Sequence, residues 1–182
     1  MKLVILDRDG VINYDSDEYI KSSDEWEPIP GSLEAIARLS NAGFAVAIAT
    51  NQSGLARGLF DLECLNTIHQ TLRTRLSALG GRIEVIAFCQ HSPDDHCDCR
   101  KPMPGLLREI RRRIGVSLRG APVVGDSLRD LEAALSVGAR PILVRTGNGE
   151  STERDLPNAL VNIPIFDNLA SAVDGILDPN QL

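Results

Sequence analysis

The 182-residue chain has no lysine- and arginine-rich block, no apolar run near the roughly 20 residues of a membrane span, no internal repeat and no low-complexity segment. Its aromatic residues are 4% of the total and do not cluster. Together with a formal net charge of −6, this argues against nucleic acid or an anionic membrane as partner. A phosphate ligand is not excluded, because a pocket can be basic locally. Met1-Lys2 leads into a short apolar stretch that soon meets Asp7, too short for a secretory leader. The expectation is a cytoplasmic protein whose four cysteines face a reducing environment, so disulfides are not the first reading. At 43% hydrophobic residues, the chain can bury the core of one domain spanning residues 1–182.

What is present is alternation. Apolar runs of strand length at residues 3–6, 44–50 (FAVAIAT), 83–89 (IEVIAFC), 121–126 (APVVGD) and 141–146 (PILVRT) alternate with helical spacing. The helical stretches are residues 33–43, closed by Gly43, 62–79, capped by Asp61 and stopped by Gly80-Gly81, 105–115 and 128–139. After Gly147 the pattern weakens, and residues 169–176 read as a last helix. This order predicts an α/β fold, a doubly wound, mostly parallel sheet with helices on both faces. Ligands of such sheets sit beyond the carboxyl ends of the strands. The polar clusters fall there: Asp7 and Asp9, then Thr50-Asn51-Gln52-Ser53-Gly54, then Asp126.

Each cluster has a plain reading beside a chemical one. Asp7-Arg8-Asp9-Gly10 could be a strand-end turn, and Asp126 a helix N-cap. Asp7, Asp9 and Asp126 converging at one sheet edge would instead repel unless a cation joined them, and an all-oxygen ligand set suits Mg2+. Asp130, one helical turn beyond Asp126, either orients that site or is a solvated helix residue. Thr50 offers a hydroxyl, and the loop through Gly54 offers backbone N–H groups that can cradle an anion; an ordinary strand-to-helix connection would read the same. Lys101, before Pro102-Met103-Pro104-Gly105, is a fixed cation or a surface lysine.

The stretch CQHSPDDHCDCR holds Cys89, His91, Cys97 and Cys99. Three thiolates and an imidazole suit a closed, tetrahedral structural Zn2+ site, against unrelated thiols or a redox pair. His96 lies inside the loop and could compete as a ligand. Zinc bound over residues 89–100 would fix where the adjacent Lys101 points. Cys64 reads as an ordinary thiol on the long helix.

LDRDGVIN, ATNQSG, CDCRKPMPG and VVGDSLRDLEAA, in that order, resemble the four motifs of haloacid dehalogenase superfamily phosphatases. More narrowly, they resemble the heptose-1,7-bisphosphate 7-phosphatases of lipopolysaccharide precursor synthesis and the related histidinol-phosphatases. The resemblance implies that Asp7 is a nucleophile forming an aspartyl-phosphate and that Asp9 is the general acid/base. It implies that Thr50 and Lys101 hold the phosphoryl group. Mg2+ would sit on Asp126, the Asp7 carboxylate and the Asp9 backbone carbonyl. The heptose phosphatases carry the same C-x-H…C-x-C pattern, which favours His91 over His96.

Mainly one helix and one strand separate Asp7 from Thr50, which leaves little room for a separate cap domain. Recognition is then expected from loops at residues 14–26 and 52–60 and from the zinc loop, with Asn51, Gln52, Ser53 and Arg100 as candidate substrate contacts. Arg100 either reads a remote second phosphate or merely covers the zinc loop. Many heptose phosphatases place a lysine after the last-motif aspartate, where this chain has Ser127. The expected substrate is a small phosphorylated sugar acted on by a monomer. Histidinol phosphate is the runner-up, ahead of a receiver-like signalling domain or a zinc-knuckle binding module.

Overall fold

The computed structural model describes residues 2–178. The elements are β1 (Lys2–Leu6), α1 (Ser32–Asn41), β2 (Phe44–Asn51), α2 (Leu62–Ala78), β3 (Val85–Cys89), α3 (Gly105–Ile114), β4 (Pro122–Gly125), α4 (Leu128–Ser136), β5 (Arg140–Val144), α5 (Gly149–Arg154), β6 (Ile165–Phe166) and α6 (Leu169–Leu177). The strands form one sheet in the order β3-β2-β1-β4-β5-β6. Every pairing is parallel. The chain winds outward from β1 in one direction, then returns and winds outward from β4 in the other. The reversal leaves a crevice between the carboxyl ends of β1 and β4, where sheets of this order bind ligands.

Strand alternation sorts the core. Val4, Leu6, Val46 and Ile48 pack against Ile36 of α1, Leu72 of α2 and Val173 of α6. Leu3, Ile5, Ala45, Ala47 and Ala49 face Leu107 of α3 and Ala133 of α4. The three β2 alanines leave room for α3 and α4 to lie close. Asp61 caps α2 as expected, accepting from the Cys64 amide at 2.8 Å.

Two parts of the expectation differ. The third strand begins at Val85 rather than at residue 83, although the Glu84 amide still reaches Val46 O at 2.8 Å. The region after Gly147 holds α5, six mostly polar residues, and β6, two residues long, neither of which can show a period. Among the described residues no extra folded unit interrupts the connections over the crevice; the loop after β1 is instead tied to the core by Ile20 and Trp26. No helix among the described residues is long and apolar enough to cross a membrane.

Candidate active site and metal centre

Asp7 directly follows β1, and its amide still donates to Val124 O of β4 at 2.9 Å. Asp126 follows β4. The sheet therefore brings these two carboxylates together. The third carboxylate is not Asp9, as the convergence argument expected, but Asp130: one oxygen from each of Asp7, Asp126 and Asp130 lies within 4.8 Å of the others. Asp130 is buried, so the solvated-helix reading of it fails. Asp126 is not the N-cap of α4. Ser127 is: its hydroxyl donates to Asp130 Oδ2 at 2.6 Å and its amide to the same oxygen at 3.1 Å.

The cluster is electrostatically costly as it stands. Burial, then Asp130, raises Asp7 well above the usual carboxylate value. Burial, then Asp130, raises Asp126 to about 6. Asn148 donates twice to Asp126 Oδ2, from its amide at 2.8 Å and from Nδ2 at 3.2 Å. Gly10 and Gly147 press on that carboxylate so closely that a Cβ on either would collide with it. Crowded carboxylates against backbone with no side-chain bulk suit a small hard cation such as Mg2+.

Lys101 is buried, not a surface lysine. Its Nζ donates to Ala49 O at 2.7 Å and lies 2.9 Å from Asp7 Oδ1 and 2.6 Å from Asp130 Oδ1. Burial would lower its pKa, but Asp130 and Asp7 outweigh that and raise it. Asn51 clasps the Lys101 backbone in both directions, donating to its carbonyl at 3.1 Å and accepting from its amide at 3.0 Å. Asn51 lines the cleft, yet its amide is spent on holding Lys101.

The chain leaves the strand after Leu6, so strand alternation does not aim Asp9. A tight turn does, with the Ile12 amide donating to Arg8 O at 2.8 Å. The Asp9 carboxylate then receives Arg8 Nε at 2.9 Å, Arg8 Nη2 at 3.0 Å, Asn13 Nδ2 at 2.9 Å and Gln52 Nε2 at 2.8 Å. Burial alone would raise its pKa, but the Arg8 charge and these hydrogen bonds bring it below the usual value. Gln52 also donates to Thr50 Oγ1 at 2.9 Å, tying the Asp9 carboxylate to buried Thr50.

Asp7, Asp9, Thr50, Asn51, Gln52, Ser53, Arg100, Lys101 and Asp126 all line one cleft of about 380 Å3. Arg57, Arg129 and Asn148 line it too and were not picked out from sequence. Isolated arginines on loops and helix surfaces carry no local signature. With Arg100 they supply cations at the mouth that Ser127 does not. Arg100 also donates to His91 O at 3.4 Å, so it touches the zinc loop as well as the cleft.

Cys89, His91, Cys97 and Cys99 come together at the end of β3. Cys89 Sγ is 3.6 Å from Cys97 Sγ and 3.2 Å from Cys99 Sγ, and His91 Nδ1 is 3.2 Å from Cys99 Sγ. The cysteines are free thiols. Burial and the neighbouring sulfurs push Cys99 up to about 12, a crowding that a shared cation relieves. Donors spaced this way suit the corners of a tetrahedron around Zn2+ at about 2.0–2.3 Å. His96 is exposed and outside the cluster. Gly105, at the start of α3, takes the Asp98 carbonyl at 2.9 Å, and a Cβ there would strike the Asp98–Cys99 backbone. The loop is thereby seated on α3, with Arg100 and Lys101 between. Cys64 stands apart, its thiol against Lys21 O at 2.7 Å.

Two family models match: one described as HAD-hydrolase-like over residues 98–172, the other as polynucleotide kinase 3 phosphatase over residues 2–127. Among curated proteins, the chain is 56% identical over 172 residues to a D-glycero-beta-D-manno-heptose-1,7-bisphosphate 7-phosphatase of Pseudomonas putida, covering 94% of this chain and 97% of that one. It is 59% identical over 152 residues to the Bordetella bronchiseptica protein of the same name, covering 84% and 85%. A crystal structure of the B. bronchiseptica D,D-heptose 1,7-bisphosphate phosphatase, complexed with magnesium and phosphate, superposes with a TM-score of 0.92 at 53% identity, covering 97% and 98%. That of Burkholderia thailandensis gives 0.76 at 42% identity, covering 98% and 99%. By sequence, fold and order of motifs, the chain belongs to the heptose-1,7-bisphosphate 7-phosphatase family of the haloacid dehalogenase superfamily, and is a phosphatase.

Proposed function

We propose that the protein hydrolyses the 7-phosphate of D-glycero-D-manno-heptose 1,7-bisphosphate through an aspartyl-phosphate on Asp7. The observation that carries this is the cluster of Asp7, Asp126, Asp130 and buried Lys101 at the strand-order reversal. The substrate follows from the relatives' activity and from three arginines at the mouth of the same cleft.

In the first half-reaction an Asp7 oxygen attacks phosphorus. The bond from phosphorus to the sugar oxygen breaks, and that oxygen takes the proton of the Asp9 carboxyl, leaving the sugar as an alcohol. In the second, Asp9 takes a proton from water as the water oxygen attacks phosphorus and the bond to Asp7 breaks. Inorganic phosphate leaves, and Asp9 is again protonated. Thr50 and Lys101 hold and neutralise the phosphoryl oxygens, so catalysis is mainly positioning and charge compensation. Mg2+ would be held by the carboxylates of Asp7 and Asp126 and the carbonyl of Asp9, where it supplies positive charge against the phosphoryl group. Asp130 anchors Lys101 from behind.

Asn51, Gln52, Ser53 and Arg100 are assigned to the substrate side, Asn51 and Gln52 chiefly through Lys101 and Asp9. Zn2+ on Cys89, His91, Cys97 and Cys99 is structural, holding the segment that carries Arg100 and Lys101. We also read the protein as a single-domain, cytoplasmic monomer acting on a small sugar phosphate. The net charge of −6 supports a small-molecule substrate over nucleic acid or membrane.

Phosphate release from the heptose bisphosphate, a heptose monophosphate and histidinol phosphate tests the assignment. The bisphosphate is expected to give the highest kcat/KM. A higher value for histidinol phosphate would replace the substrate and leave the chemistry standing.

A further inference from the structure

We propose that Arg8 and His69 form a buried brace that fixes the direction of the Asp9 carboxyl, making both positioning residues for the proton transfers. The proposal rests on the reading of Asp9 as acid and base.

Neither residue lines the cleft. Arg8 is 1% exposed and His69 7%. Arg8 therefore cannot meet substrate, and the phosphoryl charge already has Lys101. A buried guanidinium needs partners for its donors. Nε and Nη2 fork onto the two Asp9 oxygens at 2.9 and 3.0 Å. Nη1 points the other way, 3.3 Å from His69 Nε2 on α2. A guanidinium only donates, so His69 Nε2 accepts and the imidazole is neutral with its proton on Nδ1. Burial, then the Arg8 charge, agrees with this by pushing His69 down to about 3. Phe88 stands 6.1 Å from the imidazole, ring centre to ring centre.

The geometry explains why a turn residue can hold a catalytic angle. Asp9 sits outside the sheet, on a turn that by itself would leave its side chain free to rotate. Arg8 pins both oxygens, and α2, through His69, pins Arg8. Loss of the His69 acceptor strands Nη1 in a buried place and lets the fork tilt. Small tilts matter, because proton transfer needs the donor within hydrogen-bond reach of the reacting oxygen.

The test compares two esters. A sugar phosphate must have its leaving oxygen protonated, whereas p-nitrophenolate leaves without a proton. The parameter kcat/KM reports steps through the first irreversible one, so it isolates the acid role. His69→Phe is expected to lower kcat/KM for the sugar phosphate about tenfold more than for p-nitrophenyl phosphate, a fraction of the usual acid–base contribution. His69→Gln, which offers Arg8 an amide oxygen, is expected to recover most of the difference. Equal losses on both esters, or Gln no better than Phe, would overturn the brace. Arg8→Lys keeps the charge and loses the fork; it should show the same selective loss, and it decides the matter if His69→Phe does not fold. Asp9→Asn separates the two readings. If it lacks the ester difference, the acid role of Asp9 fails; if it shows the difference and the His69 and Arg8 variants do not, only the brace fails.

Discussion

Asp7 and Asp126 follow the carboxyl ends of two paired strands, while Cys97 and Cys99 sit in a loop whose regular structure is one short 3-10 turn, Pro93–Asp95. The sheet places the carboxylates, and their mutual repulsion is a cost of that placement. Nothing comparable places the sulfurs. Cys89 ends β3, but the other three donors are held by little except each other and the seat of the loop on α3. The carboxylate cluster is therefore set by the sheet, whereas the sulfur cluster depends on its own donors and on the seat of its loop on α3.

Asp7→Asn should give the largest effect, a fall in turnover on the order of 10^4-fold or more, as for loss of a covalent nucleophile. Zinc content should hold, and melting should stay level or rise, since one crowded carboxylate is neutralised. Near-normal turnover at saturating Mg2+ would remove the covalent mechanism. A melting loss as great as that from a zinc ligand would erase the contrast.

Cys97→Ser should act on the other side of it. Zinc by metal analysis should fall from about one per chain. Melting should drop by about 10 °C, as expected for several kcal/mol in a chain of this size, and activity should fall with it because Lys101 loses its seat. EDTA should strip Mg2+ first, and Mg2+ alone should then restore turnover. A fully zinc-free protein with unchanged melting would show that the loop stands without its ion.

Arg100→Ala touches both regions, since Arg100 lines the cleft and bonds His91 O. KM for the bisphosphate should rise about tenfold, the size of a charge-assisted hydrogen bond, and KM for a monophosphate much less. Equal shifts would make Arg100 a cover for the zinc loop alone.

Ser127→Ala should give the smallest effect. It removes a cap worth about 1 kcal/mol, or about 2–4 °C of melting in a chain of this size. It also frees Asp130 behind Lys101, so kcat should fall several-fold while zinc content holds. Unchanged kcat would mean that Asp130 needs no anchor beyond Lys101.

Much of this was legible in the sequence because strand ends, glycine stops and motif order are local features. The five longer strands and the helices α1 to α4 were visible from period and punctuation. The Cys89, His91, Cys97 and Cys99 cluster was visible because cysteine is rare in the chain and three of the four lie within eleven residues. Asp130 was ambiguous because a helical carboxylate looks the same buried or solvated; only packing of α4 against β4 and β5 buries it. The Asp9 side chain lies outside the Asp7, Asp126 and Asp130 cluster because the chain leaves the strand after Leu6, so alternation does not aim it.

Contiguous residues encode the parallel α/β order, the aspartates after the first strand, the sulfur cluster and the family motifs. Only the three-dimensional packing gathers Asp7 and Asp126, sets Asn51 against the Lys101 backbone and brings His69 of α2 to Arg8. Asn51 and Lys101 are 50 positions apart and Arg8 and His69 61, and Asp7 and Asp126 lie at the ends of different strands. These pairings depend on the sheet order that lays β1 between β2 and β4 and on how α2 packs over it, which no local pattern encodes.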